Sequence, residues 1–118
     1  MEKLENFYSA VGGNCAEVVH RLGGDAGMVK MFLLKFKSDK TFDGLKTALS
    51  ENNCADAFRS AHTLKGICAN LGLENLFNEA FAITEMLRGG DIESAKHAFL
   101  RVEHEYNVAL SALEKLGA

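Results

Sequence analysis

The C-terminal segment of the chain carries a regular apolar pattern that strongly limits how the chain can fold. Between residues 92 and 116, apolar side chains recur at alternating spacings of three and four residues without a miss. They are Ile92, Ala95, Phe99, Val102, Tyr106, Ala109, Leu113 and Leu116. Because an α-helix has about 3.6 residues per turn, this spacing places them in one narrow seam. The sequence therefore predicts a long helix that buries this seam against other helices.

Two earlier segments carry apolar residues in a similar rhythm. In one segment these residues are Leu73, Leu76, Ala80, Ile83 and Leu87. In the other they are Met28, Val29, Phe32, Phe36, Phe42, Leu45 and Leu49. The 118-residue chain has no proline and shows little of the β-branched alternation of strands, which favours unbroken helices. Short connections between such helices make neighbours antiparallel.

We therefore predict an all-α fold, in which an up-and-down antiparallel four-helix bundle occupies residues 25–116. The length is that of one domain, so residues 1–118 are predicted to form a single unit. Two short extra helices within residues 1–24 are predicted to cover one end of the bundle. Their apolar residues are Leu4, Phe7, Tyr8, Val18, Val19 and Leu22.

Glycines divide the chain into helices, because glycine adopts the left-handed conformation at a helix end at little cost. The predicted stop signals are Gly12-Gly13, Gly23-Gly24, Gly72 and Gly89-Gly90. Asp25 and Asp91 each follow a glycine pair and are predicted N-caps. These signals predict helices over residues 3–11, 14–22, 25–51, 54–71, 73–88 and 91–116. The third is predicted to bend or break around residues 38–40, where the apolar pattern lapses.

Composition excludes several classes of protein. The formal net charge is −3, whereas a nucleic-acid-binding domain normally shows an excess of Lys and Arg. No window approaches the roughly 18 apolar residues of a membrane span, and the first residues lack the apolar run of a signal peptide. Cys15, Cys54 and Cys68 are odd in number and lack a CxxC spacing, so we expect small buried apolar residues rather than disulfides. A reducing cytoplasm is the expected location.

A metal-binding helical bundle is an alternative that the remaining histidines argue against. A di-metal bundle would need two Glu-x-x-His pairs with two further glutamates facing inward. Glu17 and His20 form one such pair, and the sequence contains no second. His20, His97 and His104 are therefore expected on the surface, and no metal site is predicted. The methionines expected to fill the core are Met28, Met31 and Met86.

Residues 61–72, AHTLKGICANLG, place a histidine on the polar face of a predicted amphipathic helix. At about 100° per residue, the apolar residues of this helix gather on one side: Ala57, Ala61, Leu64, Cys68 and Leu71. His62 lies roughly opposite the middle of this stripe. Lys65 and Gly66 flank it one turn later, and Phe58 lies one turn earlier at about 40°. This exposed patch predicts a reactive site rather than a role in packing the core.

Each residue of the patch suggests a role in handling an anion at a surface. A neutral imidazole is a competent nucleophile, and the cation of Lys65 could pair with an anion attached to His62. Gly66 inside a helix costs about 0.8–1 kcal/mol relative to alanine, which suggests close approach of another molecule. Phe58 in partial exposure suggests a docking patch. The sequence has no Gly-rich phosphate loop, Walker lysine or kinase signature, so it offers nothing to bind ATP.

The run Ala61-His62-Thr63-Leu64-Lys65-Gly66, followed by Leu71-Gly72, resembles the histidine-containing phosphotransfer (HPt) domain family of multistep phosphorelays. The family's pattern is AHxLKG followed by LG, and each of those positions matches. Gly23-Gly24-Asp25, before an apolar helix, is also similar to the family, and the resemblance covers roughly residues 14–116. Ile67 departs from the pattern, where the family more often has a small residue. It falls toward the core side of the helix, so we expect it to alter packing rather than chemistry.

The resemblance implies a four-helix bundle in which His62 is the phosphoacceptor. It further implies that Lys65 stabilises the phosphoryl group and that Gly66 leaves room for the partner's active site. The expected partners are response-regulator receiver domains, including those of a hybrid histidine kinase, with Mg²⁺ on the receiver and no cofactor on this chain. The residues expected to contact the partner are Phe58, Arg59 and Ala69.

The sequence therefore predicts a cytoplasmic, monomeric phosphorelay intermediate that is a phosphocarrier and not an enzyme. His62 would accept a phosphoryl group from a receiver aspartate and pass it to a receiver aspartate. The alternative is a non-catalytic helical interaction module that has kept the bundle and lost the relay. Phosphorylation of His62 by a phosphorylated receiver would discriminate between the two.

Overall fold

The computed structural model describes residues 2–117, which form seven α-helices joined by short connections. The helices are α1 (Glu2–Val11), α2 (Cys15–Arg21), α3 (Ala26–Phe36), α4 (Thr41–Ser50), α5 (Cys54–Leu71), α6 (Glu74–Arg88) and α7 (Ile92–Gly117). No strand occurs in this part of the chain. The all-α prediction is confirmed.

The helix ends lie close to the predicted signals. The Asp25 carboxylate accepts hydrogen bonds from the backbone N–H groups of Gly27 and Met28 at 2.9 and 3.2 Å, which makes it the N-cap of α3. The Asp91 carboxylate accepts one from the N–H of Ser94 at 3.0 Å at the start of α7. Both predicted N-caps are therefore confirmed.

The predicted helix over residues 25–51 is two helices. The last turn of α3 tightens, because Lys37 and Ser38 donate backbone hydrogen bonds to carbonyls only three residues earlier. The Asp39 carboxylate then accepts a hydrogen bond from the N–H of Thr41 at 2.8 Å, where α4 begins. The break thus falls where the apolar pattern lapses.

The helices share one hydrophobic core, to which every helix contributes buried residues. The helix α5 packs against both α4 and α6, α6 packs against α7, and α4 contacts α7. Outside this group, α3 contacts α5 and α7, α1 packs along α7 and contacts α6, and α2 contacts α1 and α3. The described residues extend over 42 × 24 × 19 Å. A strict up-and-down course and a division after residue 24 stay predictions.

The apolar seams of α6 and α7 form the core as predicted, except that Ile92 is only partly buried. The prediction was wrong for Met28 and Met31, which are 41% and 49% exposed, and Phe32 is also exposed. The helix α3 is apolar on nearly all sides, but only one of its faces packs against the core. The buried residues on that face are Val29, Leu33 and Phe36. Met86 is partly buried against the core.

The N-terminal helices hold the C-terminal end of α5 through hydrogen bonds to its carbonyl groups. The buried Tyr8 hydroxyl donates to the carbonyl of Leu71 at 2.7 Å. The Arg21 guanidinium donates to the carbonyls of Ala69 and Asn70, each at 3.0 Å. The last carbonyls of a helix have no partner within the helix, so these bonds satisfy groups that would otherwise depend on water. Burial raises the pKa of Tyr8 well above its usual value, which keeps the hydroxyl a donor.

Close packing around Gly72 completes this contact. Gly72 ends α5 with a φ of 73°, the left-handed conformation that favours glycine. A Cβ atom added to Gly72 would lie 2.3 Å from Cγ2 of Val18, which is too close for any real contact. We call the contacts of Tyr8, Arg21 and Gly72 the C-terminal lock of α5.

Candidate functional site

The helix α5 presents one buried face and one exposed face, as its sequence predicts. Its N-cap is Asn53, whose side chain accepts a hydrogen bond from the N–H of Asp56 at 3.0 Å. The predicted apolar stripe is buried throughout, and none of its residues is more than 6% exposed: Ala57, Ala61, Leu64, Cys68 and Leu71. His62 lies on the opposite face and is exposed. The imidazole is therefore open to a second molecule.

An aromatic ring and a cation accompany the imidazole of His62. The ring of Phe58, one turn earlier, stacks against it with centroids 5.8 Å apart and planes 27° apart. The guanidinium of Arg88, from the end of α6, lies 5.0 Å from the centroid of Phe58 and is itself 3.2 Å from a Glu85 oxygen. Phe58 is partly buried, as predicted. Phe58 thus contacts both the imidazole of α5 and a cation from α6.

Lys65 lies one turn after His62 and leans toward α6. Its ammonium nitrogen is 5.4 Å from the ring centroid of Phe81, a residue that is 49% exposed. Phe77 lies behind Phe81, with ring centroids 6.2 Å apart. Within residues 2–117, Lys65 takes part in no ion pair, whereas Lys46 and Lys96 each face a glutamate. The positive charge of Lys65 is therefore not neutralised by a carboxylate.

Gly66 leaves a gap in the exposed surface of α5. A Cβ atom added there would meet nothing within 4 Å, so internal packing does not require this glycine. Ala69 is exposed and lies seven residues after His62, on the same line of the helix surface. Gly66 and Ala69 therefore leave the surface low on this line of the helix, beside the longer side chain of Lys65. Ile67 is partly buried and packs against the core, as predicted.

Arg59 lies on the other side of the site. It is exposed and pairs with Asp56 in the first turn of α5. Together with Ser60, both line a shallow depression that also includes Gly44 and Thr47 of α4. Phe58 therefore faces α6, whereas Arg59 faces α4. With Ala69, these residues are the three predicted partner contacts, and they lie around His62 in different directions.

The structure adds two residues that the sequence analysis missed. Phe81 and Arg88 come from α6, and each contacts an aromatic or charged residue of α5. The sequence carried one usable signal: Phe81 lies outside the buried seam of α6, so an aromatic ring stands on its polar face. Nothing in the spacing of Arg88 indicated its contact with Phe58.

The remaining polar and sulfur side chains lie apart from this arrangement. His20, His97 and His104 are exposed, as predicted. Cys68 is buried, and this burial raises the pKa of its thiol to about 12, whereas Cys15 and Cys54 are only partly buried. Among residues 2–117, no three His, Cys, Asp or Glu side chains lie close enough to hold a metal ion. In the same residues, no helix is long and apolar enough to cross a membrane.

Comparison with known families assigns the chain to a class. The model of the Hpt domain family matches residues 33–114, which include the whole of α4, α5 and α6. The match covers more than half of the sequence, and the chain therefore belongs to the Hpt domain family. Hpt domains carry out phosphotransfer in two-component signalling as phosphocarriers rather than kinases, and they interact with response-regulator receiver domains. No curated protein and no solved structure matches the chain.

Proposed function

We propose that this chain is a phosphorelay intermediate that accepts a phosphoryl group on His62 from a receiver aspartate and passes it to a receiver aspartate. One observation carries the proposal. The imidazole of His62 is exposed opposite a fully buried stripe, and the unneutralised cation of Lys65 lies one turn away. This arrangement lies within the residues that the Hpt family model matches.

The proposed step is an in-line displacement at phosphorus. An unprotonated ring nitrogen of His62 attacks the aspartyl phosphate, so that a nitrogen–phosphorus bond forms and the bond from phosphorus to the aspartyl oxygen breaks. The aspartate leaves as a carboxylate, and the second ring nitrogen of His62 keeps its proton. The reverse displacement, by an aspartate of the same or another receiver, returns the phosphoryl group and the free imidazole.

The residues around His62 each assist the proposed transfer in a different way. Lys65 directs an ammonium toward the phosphoryl oxygens, where a charge-assisted hydrogen bond contributes about 1.5–3 kcal/mol. Gly66 and Ala69 leave the surface low enough for the receiver's active site to approach. Phe58 and Arg59 contact the receiver on either side. Mg²⁺ is expected on the receiver, so this chain contributes position, charge and surface.

The proposal is tested by transfer from receiver domains that have been phosphorylated with acetyl phosphate. With Mg²⁺ present, the wild-type chain should acquire an acid-labile, base-stable phosphate, and peptide mapping should place it on His62. His62→Gln should remain unlabelled, whereas the matched control His104→Gln, at another exposed histidine, should label normally. Label at another residue would refute the assignment. A wild-type chain that no receiver labels would favour a non-catalytic interaction module.

A further inference from the structure

We propose that Phe81 of α6 is a positioning residue that restrains the side chain of Lys65, one turn from His62, before the phosphoryl group arrives. This inference rests on the proposed function, because it assigns a role within the same transfer. Lys65 and Phe81 are far apart in sequence, and they are in contact because α5 and α6 pack side by side.

The geometry is that of a cation–π contact. The Lys65 nitrogen lies 5.4 Å from the Phe81 centroid, within the roughly 6 Å over which an aromatic face attracts a cation. Phe77 supports the ring, and Phe77 itself packs against the core. The position of Phe81 is therefore restrained, although 49% of its surface is exposed.

An aromatic partner suits a lysine that must later bind a phosphoryl group. A carboxylate would hold the ammonium but would also cancel its charge and compete with the incoming phosphate. The face of a phenyl ring attracts the ammonium through its quadrupole and carries no net charge. The side chain of Lys65 is thus already restrained before transfer, and its full positive charge remains available to the phosphoryl oxygens.

The pattern of buried residues in α6 indicates that Phe81 does not belong to the hydrophobic core. The buried seam of α6 consists of Leu76, Ala80, Ile83, Thr84 and Leu87, and Phe81 lies outside it. Leu100 of α7 provides a matched comparison, because it is 67% exposed and does not line the described site. A general effect of removing exposed apolar surface should therefore appear equally at Leu100.

The first test is a double-mutant cycle on the rate of transfer from a phosphorylated receiver. Phe81→Leu should lower this rate about two- to fivefold, as expected for a cation–π contact at an exposed site. Phe81→Trp should restore the rate, and Leu100→Ala should leave it unchanged. In a Lys65→Ala background, Phe81→Leu should have no further effect. An equal loss in both backgrounds would show that Phe81 acts as a receiver contact, and an unchanged rate would also overturn the proposal.

The second test does not depend on transfer. In NMR spectra of the unphosphorylated chain, the ε-methylene protons of Lys65 should show an upfield ring-current shift that Phe81→Leu abolishes and Leu100→Ala preserves. If these protons do not respond to Phe81→Leu, the positioning role is wrong even where transfer occurs. If they respond but the wild-type chain accepts no phosphate, the proposed function fails and the positioning role fails with it, while the contact itself is confirmed.

Discussion

The helix α5 uses a glycine for opposite purposes at two places. At Gly66, beside His62, the space where a side chain would lie is open to solvent. At Gly72, in the C-terminal lock, that space is already filled by Val18. One glycine thus leaves open space at the surface, and the other lets the chain pack against itself.

The two regions also differ in the kind of contact they make. Around His62 the contacts are between exposed or partly buried side chains, namely stacked rings and cations over rings. At the C-terminal lock, hydroxyl and guanidinium groups donate to backbone carbonyls, and one of these bonds is buried. Buried hydrogen bonds and tight packing contribute more to stability than exposed charged contacts. We therefore expect substitutions in the lock to lower the free energy of unfolding and substitutions near His62 to affect transfer.

The largest expected loss of stability is for Gly72→Ala. Alanine must adopt a left-handed φ of 73° while its Cβ overlaps Val18, and together these effects should lower the free energy of unfolding by about 2–4 kcal/mol. Chemical denaturation measures this change. A loss below about 0.5 kcal/mol would mean that Val18 can move aside at little cost in stability. The packing around Gly72 would then not differ from the open space around Gly66 as described.

Tyr8→Phe should have the next largest effect. It removes a buried hydroxyl that donates to the Leu71 carbonyl at 2.7 Å and leaves that carbonyl without its partner. The free energy of unfolding should fall by about 1–2 kcal/mol. Tyr106→Phe is the control, because the Tyr106 hydroxyl makes no hydrogen bond within residues 2–117. Equal losses for both variants would show that the bond to α5 is not what stabilises this end.

Gly66→Ala should move stability in the opposite direction. Alanine is favoured over glycine inside a helix by about 0.8–1 kcal/mol, and no atom of the chain opposes the added methyl group. The free energy of unfolding should therefore rise slightly, while transfer from a phosphorylated receiver should slow because the methyl group lies in the path of approach. Unchanged transfer in the more stable variant would remove Gly66 from the docking surface.

The sequence predicted those features that depend on the period of a single helix. The buried stripe of α5 and the exposure of His62 follow from the spacing of residues along one helix. The break near Ser38 follows in the same way from a lapse in spacing. Periodicity failed for α3, because a short helix that is apolar on nearly all sides does not reveal which side packs, and Met28 and Met31 were misplaced.

Features that depend on the register between helices were not predicted. The contacts of Phe81 and Arg88 with α5 are set by how far α6 slides along it, which side-chain periodicity does not encode. The C-terminal lock joins Tyr8 and Arg21 to carbonyls 63, 48 and 49 residues away. Backbone carbonyls carry no sequence signal, so such bonds could be found only in the folded chain.

We propose that His62 carries phosphoryl transfer and contributes little to the stability of the bundle. This proposal is tested most directly by measuring phosphoryl transfer and the free energy of unfolding on the same preparation of His62→Gln. Glutamine suits a helix at least as well as histidine, so we predict no labelling by a phosphorylated receiver and a change in unfolding free energy of about 0.5 kcal/mol or less. Retained labelling, or a loss of labelling that accompanies unfolding of the bundle, would refute this proposal.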